Sequence, residues 1–126
     1  MHDFDCIHGT KEKVLEGWVG RTLEDSIELK NKPAFSHVAR MVGTTTPNQP
    51  KPFELVRQSQ PYGTVSGDSG LFFIGYAASP DNLNFMLDQM VGASGDGVCD
   101  HIMKLTKCKK STFWYMPSQE ELRRLM

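Results

Sequence analysis

Hydrophobic positions along the chain fall into short periodic segments, separated by stretches that carry Gly and Pro. In Thr10–Trp18 the residues Val14, Leu15 and Trp18 recur at helical spacing, with Thr10 as a candidate N-cap and Gly20 just past the end. Gly20–Phe35 is polar, charged and interrupted by Pro33, which predicts an extended connection. Ser36–Val42 is more apolar and alternates, so it predicts a short extended stretch. Gly43–Pro52 holds three Thr and three Pro; prolines cannot continue a ladder, so this segment predicts a surface loop.

The alternation in Phe53–Ser59 predicts a strand, ended by Pro61-Tyr62-Gly63. Leu71–Ala78 is aromatic and nearly continuously apolar, which predicts a strand buried on both faces. Ser79-Pro80-Asp81 opens a helix that lines up Leu83, Met86, Leu87 and Met90 before Gly92–Gly97 breaks it. Val98–Leu105 predicts a second helix, with Val98, Ile102 and Leu105 on one side. Ser111–Met116 predicts a further strand, and Pro117-Ser118 leads into a last helix, Gln119–Leu125. The order strand, strand, helix, helix, strand, helix describes an α+β domain with helices against one face of a mainly antiparallel sheet.

At 126 residues the chain suffices for one domain, residues 1–126, with one core. Its 14 Lys+Arg balance 15 Asp+Glu, which argues against a nucleic-acid partner. No apolar run reaches the roughly 18 residues of a membrane span. The start, MHDFDCIHGTKEK, lacks the apolar region of a secretory signal. Cys6, Cys99 and Cys108 form no CxxC pair and leave an odd thiol, so a reducing, cytoplasmic setting is expected.

Several clusters suggest chemistry. Gly67-Asp68-Ser69-Gly70 matches the loop around a serine-protease nucleophile, but it lies between two strands in a chain too short for that scaffold, and reads as a turn. Cys99, His101 and Cys108, or Cys6 with His8, lack the paired spacing that aims neighbours at one tetrahedral ion. Lys107-Cys108-Lys109-Lys110 reads as a solvated basic turn. His37 fits either a satisfied, partly buried side chain or a ligand. Arg57 sits in an apolar strand, where it either faces solvent by alternation or meets a partner that offsets its burial. Spacing alone does not choose for either residue.

The ordered set of motifs does choose. Gly20-Arg21-Thr22, Ser36-His37-Val38-Ala39-Arg40, Val56-Arg57-Gln58-Ser59-Gln60-Pro61-Tyr62-Gly63-Thr64 and Gly70-Leu71-Phe72-Phe73-Ile74-Gly75-Tyr76 closely resemble the C-terminal part of dye-decolourising (DyP-type) haem peroxidases. The bacterial class B members are the nearest in pattern, and the resemblance extends through Asp100–Leu105 and the ending STFWYMPSQEEL. It implies a ferredoxin-like half of a double ferredoxin-like fold. It also implies haem b, with His37 as the proximal iron ligand and Asp100 behind it making the imidazole more electron-donating.

On the distal side the resemblance places Arg57, whose fixed cation can polarise bound peroxide and stabilise the leaving hydroxide. Ser59 faces the same way and can add a hydrogen bond, while Leu71 and Phe73 share the face that lines the distal pocket. Met86, Leu87 and Met90 either cover the haem edge or pack the core. The G-x-x-D-G motif, whose Asp moves the peroxide proton in the family, is absent, and the match begins after it. The N-terminal half is therefore expected to be missing. The implied function is peroxide-driven oxidation of an organic donor such as a dye or phenol, by a homo-oligomer. The alternatives are a haem-binding or assembly module with little turnover, and a truncated product whose open sheet must pair with another copy.

Overall fold

The computed structural model describes residues 4–42, 55–64, 67 and 69–126. Its elements are α1 (Phe4–Gly9), α2 (Glu12–Val19), α3 (His37–Val42), β1 (Val56–Tyr62), β2 (Gly70–Tyr76), α4 (Pro80–Val91), a 3₁₀ turn (His101–Lys104) and α5 (Gln119–Leu125). The architecture is α+β, with β1 and β2 forming an antiparallel hairpin.

Helix α2 ends as its sequence requires. Gly20 adopts φ 91°, and its N–H caps the carbonyl of Glu16. Lys11 rather than Thr10 precedes the first turn; the Thr10 hydroxyl instead donates to the Cys6 carbonyl at the end of α1. The connection from Gly20 to Phe35 is not the extended segment expected: it folds back through a turn at residues 23–25, with Arg21 bridging Glu28, the Thr22 N–H donating to the Ile27 carbonyl and the Leu29 N–H to the Gly20 carbonyl.

The extended stretch expected at Ser36–Val42 is a helix. Ser36 is buried and its Oγ accepts the Ala39 N–H at 3.3 Å, capping α3. The helix is enclosed round more than half of its circumference, since the consecutive residues Val38, Ala39 and Arg40 are all buried. The loop expected at Gly43–Pro52 and the first two residues of the predicted strand, Phe53 and Glu54, lie outside the described residues, as does Asp68 of the predicted turn.

In the hairpin, Arg57 pairs with Gly75, Ser59 with Phe73 and Pro61 with Leu71. Strand β1 continues through Pro61 and Tyr62, since every described residue of this strand borders only one neighbour and a missing N–H costs no bond on an open side. The expectation that Leu71–Ala78 is buried on both faces does not hold: Phe72 is 62% and Phe73 59% exposed. Burial on both faces needs a layer on each side, and the described residues supply no further strand to the sheet.

Helix α4 begins as expected, with the Ser79 side chain accepting the Asp81 N–H and Pro80 in the first turn. Its inner face is not the anticipated stripe. Met86 and Gln89 are buried while Leu87 is exposed, because α3 packs against α4 through a polar contact at Gln89. The helix expected over Val98–Leu105 shrinks to the 3₁₀ turn, since Asp100 caps it and so stands outside it. Ser111–Met116 forms no strand; Phe113, Trp114, Tyr115 and Met116 are all exposed, without a neighbouring strand to pair with. Helix α5 forms behind a reciprocal capping box of Ser118 and Glu121.

Among the described residues the buried apolar side chains are Leu15, Val38, Ala39, Met86 and Leu105, and beside them lie buried Ser36, Arg40, Gln89 and Asp100. The packing centre is thus organised around polar groups as much as around hydrocarbon. That is the arrangement of a site rather than of a plain core.

Candidate functional site

Two chain segments converge at this centre. The cap at Ser36 makes His37 the first residue of α3, so its side chain leaves from the helix end rather than from a packed flank. The loop after α4 ends on Asp100, whose N–H donates to the Met90 carbonyl at 3.0 Å. Asp100 Oδ1 accepts the Ile102 N–H at 2.9 Å. The second oxygen, Oδ2, lies 2.6 Å from His37 Nδ1.

The Asp100 side chain is fully buried, while that of His37 is 28% exposed. A carboxylate only accepts, so the proton between the two sits on Nδ1, and Nε2 is the ring nitrogen left for another partner. Among the described residues nothing hydrogen-bonds Nε2. An imidazole with its inner nitrogen held by a buried carboxylate and its outer nitrogen open is the donor set of an axial metal ligand. These two residues fit the role that haem iron requires.

Arg40, one turn along α3, is buried and fully engaged. Its Nε donates to the Gln89 carbonyl at 2.9 Å, Nη2 donates to Ser94 Oγ at 3.0 Å, and both terminal nitrogens donate to the Asp96 carboxylate. Hydrogen bonds from Arg40, then from the Val98 N–H and Ser94, hold the Asp96 carboxyl well below the usual carboxylate range. Sequence spacing offers no role for Arg40, Ser94 or Asp96. The available signal is a charge placed in the apolar run after His37, the same kind of anomaly that singles out Arg57.

His101, one of the residues weighed as a metal ligand, packs as an aromatic. Its ring stacks on Phe35 at 4.0 Å and meets Trp18 edge-on at 6.0 Å, while its backbone N–H donates to the Phe35 carbonyl. Burial, followed by the nearby Lys104, pushes its imidazole below the ordinary histidine value. Lys104 lies over the Trp18 ring, 5.1 Å from its centroid.

The other predicted site residues gather on the hairpin. Residues directly opposite in an antiparallel pair share a face, so Arg57, Ser59, Leu71 and Phe73 all lie on one side of it, as their alternation predicts. A Cβ built on Gly75 would point into this face and come 3.9 Å from Leu83 Cδ2 on α4. This side of the hairpin thus approaches α4 at Gly75, while Leu71 and Phe73 on it stay exposed. Arg57 and Ser59 are exposed, Leu71 is 45% exposed, and no hydrogen bond or ion pair to Arg57 exists among the described residues. The structure thus forms two groups, His37 with Asp100, and Arg57 with Ser59, Leu71 and Phe73. No hydrogen bond joins them among the described residues.

The chain is similar in sequence to a dye-decolorizing peroxidase of Mycobacterium tuberculosis, 31% identical over 94% of this chain and 36% of that protein. It resembles in structure a dye-decolorizing protein from V. cholerae, with a TM-score of 0.73 and 38% identity over 82% of this chain and 34% of that one. A DypB variant from Rhodococcus jostii RHA1 in complex with heme superposes over 99% of this chain and 41% of its own, with a TM-score of 0.84 at 24% identity, a likeness of fold alone. The chain spans about a third of the length of these relatives. Together with the α+β architecture they place it in the ferredoxin-like class. The family model for the Dyp-type peroxidase, C-terminal, matches residues 2–121, and the chain belongs to that family.

Proposed function

We propose that this chain binds haem b and forms the haem-holding part of a peroxidase that oxidises organic donors, such as dyes or phenols, with hydrogen peroxide. The observation that carries this reading is the His37–Asp100 pair, with Nδ1 held at 2.6 Å and Nε2 open. When bound, the haem supplies the redox chemistry with peroxide. His37 holds it through Nε2. Asp100 keeps the proton on Nδ1 and lends the ring anionic character, which strengthens Nε2 as a donor. The Ile102 N–H fixes the carboxylate from behind, so the imidazole cannot rotate without breaking its bond to a held acceptor.

Arg57 and Ser59 would supply the polar groups that meet the peroxide. The guanidinium would polarise a peroxide oxygen and stabilise negative charge developing on it. Ser59 donates or accepts one hydrogen bond beside it. Leu71 and Phe73 on the same face, exposed in this chain, would exclude water once a flat apolar group covers them, which would raise the value of each polar contact. No helix among the described residues is long and apolar enough to cross a membrane. A cytoplasmic setting and a homo-oligomer that covers the exposed hairpin accord with the same reading.

A second reading, a haem-binding module with little turnover, is favoured by the exposure of Arg57, which has no partner to hold it over a bound group. Haemin titration separates the two. A Soret band that His37→Ala abolishes establishes binding through that residue. Peroxide-dependent dye bleaching that Arg57→Ala abolishes establishes the enzyme, and stoichiometric binding without bleaching establishes the module. Absence of a His37-dependent Soret band overturns both.

A further inference from the structure

We propose that Arg40 is a positioning residue: by gripping the loop after α4 it holds Asp100 against His37. Arg40 lies three residues beyond His37 on α3, so the two side chains leave the same helix one turn apart. The Arg40 side chain is 1% exposed, and a guanidinium at that depth is costly unless its donors are met. It meets them on the segment that carries Asp100. The Gln89 carbonyl lies in the last turn of α4, while Ser94 and Asp96 lie in the middle of the following loop.

Asp96 passes the grip onward. Its Oδ1 also accepts from Ser94 Oγ at 2.8 Å and from the Val98 N–H at 3.0 Å, two residues short of Asp100. Gly92, Gly95 and Gly97 take φ of 78°, 83° and 72°, a backbone that glycine adopts without strain and that lets the loop close around these bonds. One cation therefore links the helix bearing the imidazole to the loop bearing its carboxylate. A hydrogen bond at 2.6 Å between the two weakens steeply with misalignment, so a loosened loop is felt at Nδ1 before it is felt in the fold.

The test uses the full chain, labelled with ¹⁵N. The His37 Nδ1–H resonance reports the bond to Asp100 directly, with Asp100→Asn as the reference for its loss. Arg40→Lys keeps the charge but cannot reach the Gln89, Ser94 and Asp96 acceptors together. Asp96→Asn releases the loop from a side chain that is 29% exposed, a change the fold tolerates. Both variants are expected to stay folded by circular dichroism while the Nδ1–H signal shifts towards that of Asp100→Asn, and haemin affinity falls about 10-fold or more. Folded variants that keep the parent resonance overturn the proposal, and if Arg40→Lys does not fold, Asp96→Asn decides alone. The haemin readout rests on the haem reading above and the resonance does not. A parent chain that binds no haemin, yet shows the variant-sensitive resonance, sinks that reading and leaves the positioning role standing.

Discussion

Arg57 stands directly across the hairpin from Gly75, and the Phe73 ring leans over that glycine on the same face. A Cβ there would meet Phe73 Cε1 at 3.4 Å and Leu83 Cδ2 at 3.9 Å, ordinary contact distances. Gly75→Ala is accordingly expected to be neutral or to stabilise by up to about 1 kcal/mol, because Ala loses less backbone freedom in a strand. Gly75→Val places two further methyls beside Arg57 and is expected to lower peroxide turnover while haemin affinity stays close to the parent. Thermal melts and dye bleaching on the two variants check this.

Replacing Asp100 separates its two bonds. Asp100→Ala removes both the cap of the 3₁₀ turn and the acceptor for His37, and is expected to cost about 1–2 kcal/mol from the cap alone. Asp100→Asn keeps an oxygen for the Ile102 N–H but takes away the anion. Its expected signature is near-parent stability with haemin affinity reduced about 10–100-fold. Urea titration alongside haemin titration resolves the pair.

Acid is expected to weaken the fold through Asp96. Its folded carboxyl is held low by Arg40, so the unfolded chain takes up a proton first as pH falls. The stability from this group is complete above the unfolded value of about 4 and is lost progressively as pH drops towards the folded value. Glu121, lowered by Tyr115 and the Ser118 N–H, and Glu28, lowered by Lys32, act with the same sign. Asp96→Asn should therefore be less stable than the parent near pH 6 and show a shallower acid slope below about pH 4. Urea midpoints across that range measure both.

Gly20 is expected to resist substitution for two reasons at once. Its φ of 91° is strained for any L-residue, and an added Cβ would lie 3.0 Å from Val38 Cβ and 3.1 Å from Ser36 Oγ, beside the cap of α3. Gly20→Ala should destabilise by about 1–2 kcal/mol and lower haemin affinity, since the same cap places His37. A melting temperature and a haemin titration on one sample test the coupling.

The open hairpin predicts self-association. Phe72 and Ile74 lie on the face away from Arg57 and are 62% and 36% exposed. Phe72→Ser is expected to shift the chain towards monomer in sedimentation velocity without altering haemin affinity, and unchanged sedimentation would show that other surfaces carry the contact.

Local signals were most legible where a few neighbouring residues decide the structure. Ser79-Pro80-Asp81 opens α4 and Gly92 closes it, Gly20 ends α2, and Ser118 starts α5, each through bonds inside one turn. The hairpin follows from its alternation, which also places Arg57, Ser59, Leu71 and Phe73 on one face. Helix α3 was hidden because its inner face is held by Arg40 bonding residues about fifty positions away, and alternation over seven residues fits a strand equally well. Ser111–Met116 has strong strand composition but no partner among the described residues, and a strand exists only as a pair. The His37–Asp100 pair spans 63 positions, and only resemblance to a family brought the two together before the geometry did.

The Lys104 ammonium over Trp18 has an optical consequence. An indole beneath a cation and edge-on to His101 sits in a fixed, half-buried field, whereas Trp114 is 86% exposed to water. Emission from the two fluorophores is thus separable by a soluble quencher such as iodide, which reaches Trp114 far more readily. The shielded signal becomes a native gauge of how tightly α2 seats on the 3₁₀ turn that begins next to the carboxylate of the site.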